Sequence, residues 1–128
     1  MVTLTTHGIK ITVISRYEKG ASNPALKRYI HSYIVKIENQ SSRTIKLLSR
    51  YWLITEGDGT KKVVTGEGVV GEQPILMPGE VHTYSSWCPL SLPNGKMEGH
   101  YKMKDLDDGQ MIQVLIPAFI LTADYKQN

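Results

Sequence analysis

Residues 65–74 read Thr-Gly-Glu-Gly-Val-Val-Gly-Glu-Gln-Pro, and this stretch decides the fold of the chain. It holds the glycine spacing of a dinucleotide-binding loop, at Gly66, Gly68 and Gly71. Such a loop opens a helix whose N-terminus receives the phosphates. Here Pro74 follows soon after the last glycine, and proline interrupts the hydrogen bonding that a helix needs. The stretch therefore predicts a connection between β-strands and argues against a Rossmann enzyme.

On either side of this stretch, apolar residues alternate with polar ones. The alternating residues are Ile9, Ile11 and Val13, then Tyr33, Val35 and Ile37, then Ile45, Leu47, Tyr51 and Leu53. A period of two is typical of half-buried strands. No segment shows apolar residues at the helical period of 3.6 residues. Only residues 21–28 offer room for a helical turn.

Turn-forming pairs separate these segments. Asp58-Gly59 predicts a tight hairpin, and Asp108-Gly109 turns the chain into a last strand over residues 110–121. Pro117 lies within that last strand and removes a ladder donor, so it predicts a bulge or a sheet edge there.

About seven to eight short antiparallel strands with regular turn signals indicate an all-β fold. We expect an immunoglobulin-like or fibronectin type III-like β-sandwich, with Trp52 filling its middle. Residues 1–128 show no internal repeat or linker, so one domain is expected.

Composition narrows the functional classes. The 128 residues carry a net charge of +3, which is modest for a nucleic-acid-binding protein, and nucleic acid is not an expected partner. Basic residues concentrate in the first half of the chain, which indicates either an unevenly charged surface or a basic face for an anionic partner. Cys88 is the one cysteine, and no apolar stretch has the length of a membrane helix. With no signal peptide at the N-terminus, a cytoplasmic location is expected.

The three glycines have two interpretations. They serve either a tight connection that needs positive φ, or a nest of backbone amides that binds a phosphate or another anion. Glu67 and Glu72 would place negative charge beside that anion. Gly66, Gly68 and Gly71 are the candidate ligand-binding residues of this chain.

Catalytic and metal sites are not expected. A nucleophilic Cys88 would need a base, for which His82 and His100 are candidates, but its Trp87 and Pro89 neighbours favour a buried structural thiol. The histidines lack metal-ligand spacing. The crowded aspartates, Asp105, Asp107 and Asp108, are typical of turn chemistry. We therefore predict no catalytic residue, no metal ligand and no cofactor.

Several motifs together resemble the ApaG family. They are Gly66-Glu-Gly68-Val-Val-Gly71-Glu-Gln-Pro74, Leu76-x-Pro78-Gly79-Glu80, Tyr84-x-Ser86-x-Cys88-Pro89-Leu90, Gly95-x-Met97-Glu98-Gly99-x-Tyr101 and Ile116-Pro117-Ala118-Phe119-x-Leu121. The resemblance covers nearly the whole chain and suits a stand-alone bacterial member. It departs at Trp87, where a smaller residue is more usual.

The resemblance implies an immunoglobulin-like or fibronectin type III-like sandwich that is often dimeric. In larger eukaryotic proteins, including F-box proteins and a polymerase-delta-interacting protein, the same domain is taken as a protein-interaction module. Bacterial members are linked to cobalt and magnesium efflux and tolerance. A pyrophosphate or nucleotide role has also been suggested for the glycine motif.

These observations lead to one expectation and two alternatives. The expectation is a non-enzymatic cytosolic module that binds protein, including a second copy of itself through strand edges. One alternative is a role in divalent-cation homeostasis. The other is binding of a phosphate-bearing small molecule through residues 66–71.

Overall fold

A computed structural model describes residues 1–123 and shows an all-β architecture, as predicted. Within residues 1–123, nine strands follow one another: β1 Val2–Thr6, β2 Ile9–Tyr17, β3 Tyr29–Asn39, β4 Ile45–Glu56, β5 Lys61–Glu67, β6 Ile75–Leu76, β7 Val81–Leu90, β8 Asn94–Asp105 and β9 Met111–Thr122. Two 3₁₀ turns, Lys19–Ala21 and Pro24–Leu26, lie between β2 and β3, and the second falls within residues 21–28, where the sequence offers room for a helical turn. The strand count exceeds the predicted seven to eight because β1 and the two-residue β6 also form.

The strands form two antiparallel sheets packed as a sandwich. Sheet A has the order β1-β2-β3-β7, and sheet B has the order β5-β4-β8-β9, with β6 also paired to β4. The edges β1 and β9 lie together, and the Leu115 amide donates to Thr6 Oγ1 across them at 3.3 Å. The other two edges, β7 of sheet A and β5 of sheet B, face each other across the opposite side of the sandwich.

The core lies between the two sheets. Trp52 is 2% exposed and occupies its middle, as predicted. Its ring meets Tyr33 edge-on at 5.4 Å and Phe119 at 5.9 Å between centroids. Edge-to-face aromatic pairs of this kind add to the stabilisation that burial alone supplies.

The alternation predicted along β4 changes phase within the strand. A bulge between Leu47 and Ser49 shifts the register against β8. Beyond it, Tyr51 and Leu53 lie half-buried on the outer face instead of the core face, so that part of the prediction was wrong. A bulge inserts one unpaired residue, so every later side chain changes face.

A second bulge lies between β8 and β9, at Met97 to Gly99, opposite the segment that holds Pro117. The prediction of a bulge or edge at Pro117 is therefore confirmed, since β9 is also the outermost strand of sheet B. Gly99 is required here, because a Cβ at this position would lie 1.9 Å from the Tyr51 carbonyl oxygen. No helix among residues 1–123 combines the length and the apolar character needed to cross a bilayer.

Candidate functional site: the cleft between β5 and β7

The glycine stretch forms a tight reversal after β5. Val69 and Glu72 exchange two backbone hydrogen bonds, with N···O distances of 2.8 and 3.0 Å. Between them, Val70 and Gly71 both adopt positive φ, 48° and 76°, which is typical of a type I′ turn. The chain then runs into β6, and no helix begins after Gly71, as the sequence predicted.

Packing explains two of the three glycines. A Cβ at Gly68 would lie 2.2 Å from the Glu72 carbonyl oxygen, and φ there is 63°. A Cβ at Gly66 would lie 2.7 Å from Nη2 of Arg50, so the bare α-carbon makes room for a guanidinium. Gly71 has open space around it and is favoured by its backbone angle alone.

The amides of this loop are largely engaged within the fold. The Gly68 amide donates to the Leu48 carbonyl at 2.8 Å, and the Val69 and Glu72 amides close the turn. Gly66 lies within β5, opposite Arg50 of β4. Gly66, Gly68 and Gly71 therefore lie close together, but anion binding by them stays a prediction.

Arg50 is the cation that this loop positions. Its Nη1 donates to the carbonyl oxygens of Glu67 at 3.1 Å and Gly68 at 3.0 Å. Among residues 1–123 it forms no ion pair, because the bridges found there involve other side chains. A half-buried guanidinium thus lies at the open side of the sandwich with its charge uncompensated.

The Arg50 side chain lines a cleft of about 430 Å³ between the loop that follows β5 and strand β7, which we call the β5–β7 cleft. It is lined by Tyr33, Arg50, Trp52, Val69, Val70, Tyr84, Ser85, Ser86 and Trp87. The hydroxyl groups of Tyr84 and Tyr101 hydrogen-bond to each other within the core behind it. Burial raises the pKa of both phenols, so these tyrosines carry no charge at neutral pH. The cleft therefore combines aromatic walls with one cation.

A second hollow of about 400 Å³ lies on the outer face of sheet A. Three large apolar side chains there are well exposed: Ile14 at 49%, Ile34 at 46% and Trp87 at 58%. We call these three residues the outer patch. Ile14 and Ile34 are directly opposite each other in the β2–β3 register. Trp87 lines this hollow and the β5–β7 cleft alike, so the two form a continuous surface.

Cys88 is a buried thiol, 2% exposed, whose cross-strand neighbour is His31. The candidate bases His82 and His100 lie elsewhere: His82 is 3.8 Å from a Glu72 oxygen, and His100 stacks on an outer-face tyrosine. Burial raises the pKa of Cys88 to about 11 and lowers the pKa of His31. Both groups are therefore neutral at neutral pH, which is the wrong state for a nucleophilic thiolate.

The aspartates at the end of β8 and just after it shape a turn, as predicted. Asp105 is fully buried, pairs with Arg43 at 3.0 Å and accepts the Asp107 amide at 2.8 Å. Asp108 accepts the Gln110 amide at 2.8 Å. Within the described part of the chain, no three His, Cys, Asp or Glu side chains come together as a metal site.

Sequence reasoning missed the outer patch and the setting of Arg50. The signal for the patch was present. Ile14 and Ile34 are apolar, although the alternating pattern of their strands predicts polar residues at these two positions. The signal for Arg50 was weaker. Its cleft arises from the β4 bulge and from the approach of β7, and neither is marked by a local pattern.

Comparison with known proteins places this fold and this loop in one family. The family model of the ApaG domain matches residues 19–105. A protein named ApaG of Brucella canis is 47% identical over 94% of this chain and 92% of its own length. Another ApaG, of Sinorhizobium fredii, is 45% identical over 91% of this chain and 88% of its own. The crystal structure of a Bordetella pertussis protein described as ApaA superposes with a TM-score of 0.88 at 36% identity, covering 98% of this chain and 99% of that one. The chain belongs to the ApaG family.

Proposed function

We propose that this chain is a non-enzymatic cytosolic module that binds protein through the outer patch. The observation that carries the proposal is the exposure of Trp87, 58%, beside two exposed isoleucines on one sheet face. Large aromatic side chains in a hollow are typical anchors of protein interfaces. Exposed apolar side chains that cluster on one face, instead of being scattered, are typical of protein-contact surfaces.

The chemistry of the described residues supports binding over catalysis. The one thiol is neutral and buried, and its imidazole neighbour is neutral as well. Acid–base or nucleophilic catalysis requires a charged or activated group that substrate can reach. The β5–β7 cleft instead offers apolar walls and a fixed cation, which suit recognition.

Self-association through strand edges is part of this proposal. β5 and β7 end their sheets on the open side of the sandwich, and edge strands carry unpaired backbone groups that accept another strand. We expect sedimentation equilibrium to show a reversible dimer. If the protein stays monomeric at every concentration up to its solubility limit, the proposed self-association is wrong.

Capture by a crosslinking bait tests the binding function. Trp87→Ala removes the anchor, whereas Ile120→Ala removes a comparably exposed apolar side chain, 64%, from the outer strand of sheet B. We expect one protein to be enriched by the wild-type chain and by Ile120→Ala but lost with Trp87→Ala. Equal capture by both variants, or no enriched protein with wild type, would contradict the proposal.

A further inference from the structure

We propose that the β5–β7 cleft binds an acidic side chain of the partner protein through Arg50. The outer patch then takes apolar side chains that precede or follow that residue in the same extended segment. This inference rests on the proposed function and adds the chemistry of the partner to it: an extended segment in which a carboxylate neighbours aliphatic residues.

The uncompensated charge of Arg50 is the first argument. Both hydrogen bonds that the structure gives this side chain come from Nη1, and both go to backbone carbonyls. A guanidinium has five donors, so Nη2 and Nε keep capacity for a planar acceptor. A carboxylate matches that geometry with two parallel hydrogen bonds, which are about twice as strong as neutral ones.

The position of the guanidinium is the second argument. The two carbonyl contacts and the close approach to the Gly66 α-carbon hold its plane against β5. Trp52 and Tyr33, both largely buried, line the cleft beside it. A fixed cation next to low-dielectric walls attracts a carboxylate more strongly than a mobile cation in water does.

The continuity of the two hollows is the third argument, and it favours a protein segment over a free small molecule. Ser85, Ser86 and Trp87 line both the β5–β7 cleft and the hollow of the outer patch. A ligand that enters the cleft at Trp87 therefore continues across β7 onto Ile14 and Ile34.

Charges along this path agree with an acidic partner. Lys62 lines a smaller adjoining hollow that shares Arg50 and Trp87 with the cleft, so a second cation lies near this path. At the far end of the outer patch, Arg16 pairs with Glu18 at 3.3 Å and that pair is close to neutral. Arg50 is therefore the charged group that lines the cleft, and the patch beyond it is apolar.

Selection from a library of random short peptides tests the inference with the intact chain. Ser86→Asp places a carboxylate on the wall of the cleft, where it competes for Arg50 without removing the Arg50 contacts to the loop. Thr122→Asp is the matched control, because it makes the same charge change at an exposed position of β9. Thermal unfolding of each variant confirms that it remains folded.

We expect wild type and Thr122→Asp to enrich peptides that carry Asp or Glu beside aliphatic residues. Replacing that acid by its amide should weaken binding about tenfold, and the Arg50 side-chain N–H signal should shift only with the acidic peptide. Ser86→Asp should lose the acidic preference and keep the weaker apolar binding.

Three outcomes would overturn the inference: no enriched peptides, enrichment without an acidic residue, or the same acidic preference with Ser86→Asp. A dimer of this chain that Ser86→Asp dissociates would also overturn it, because a second copy would then fill the cleft. These outcomes are separate from the capture experiment. If Trp87→Ala abolishes capture while peptides show no acidic preference, the binding function stands and only the chemistry assigned to Arg50 fails.

Discussion

Replacing Gly68 by alanine should destabilise the protein far more than the same change at Gly71. Both glycines have positive φ, 63° and 76°, and a residue with a Cβ in that region costs about 1 kcal/mol. Gly71 has nothing within 4 Å of the added Cβ, so that backbone term is its whole cost. At Gly68 the Cβ would lie 2.2 Å from the Glu72 carbonyl oxygen, and backbone must move.

That movement separates Val69 from Glu72, whose two mutual hydrogen bonds are about 1 kcal/mol each. The total for Gly68→Ala is then about 3 kcal/mol, against about 1 kcal/mol for Gly71→Ala. For a domain of this size these losses correspond to falls in Tm of about 12 °C and about 4 °C.

Urea unfolding followed by tryptophan fluorescence measures both free energies. Gly59→Ala is the control, because Gly59 has a φ of 88° and also has open space around it in the β4–β5 hairpin. It should match Gly71→Ala. Equal destabilisation by Gly68→Ala and Gly71→Ala would refute the claim that close backbone packing requires the glycine at position 68.

Three further predictions concern buried groups. Burial lowers the pKa of His31 in the folded state. Its contribution to the free energy of unfolding is therefore complete above about pH 6.5, the pKa of an unperturbed histidine, and is lost as the pH falls, because the unfolded chain then takes up the proton. His31→Gln should therefore flatten the decline of unfolding free energy below that pH, and identical slopes for wild type and His31→Gln would contradict this. The Cys88 thiol, with its pKa raised to about 11 by burial, should react slowly with a thiol reagent at pH 8 until urea unfolds the chain, and rapid labelling of native protein would show it to be accessible. Asp105→Ala should cost about 3 kcal/mol in urea unfolding, because it leaves the half-exposed Arg43 unpaired and an amide without its acceptor, and a loss below about 1 kcal/mol would show that this pair contributes little.

The anion-binding prediction for the glycine loop has its own test. Pyrophosphate is added while the amide signals of Gly66, Gly68 and Gly71 are followed by NMR. The Gly68 amide is already bonded to Leu48 at 2.8 Å, so a shift there would require the loop to rearrange. No shift at millimolar ligand would remove the prediction.

Much of the architecture follows from local patterns. Alternation predicted the strands around Val13, Val35 and Leu47, and Asp58-Gly59 predicted the hairpin that joins β4 to β5. Pro74 excluded a helix after the glycine motif, and the chain there passes directly into β6. These patterns are informative because strand periodicity and turn angles depend on neighbouring residues alone.

The face that each residue presents was harder to predict. The bulge between Leu47 and Ser49 moves Arg50 and Trp52 to the inner face of β4 and Tyr51 to the outer face. No residue type near positions 47–49 predicts this bulge. The shift becomes favourable only when β8 and the opposite sheet are present, because it buries Trp52 against Tyr33 of sheet A.

The sequence by itself determined an all-β sandwich, its main hairpins and the turn role of the glycine stretch. The tertiary structure alone decided which side chains meet: Arg50 with Gly66 through the β4–β5 pairing, and Cys88 with His31 through the β3–β7 pairing. Periodicity and turn chemistry are local properties of the chain. The choice of strand partners depends instead on how the whole set of apolar faces can be buried at once, and that choice places the cation beside the exposed tryptophan.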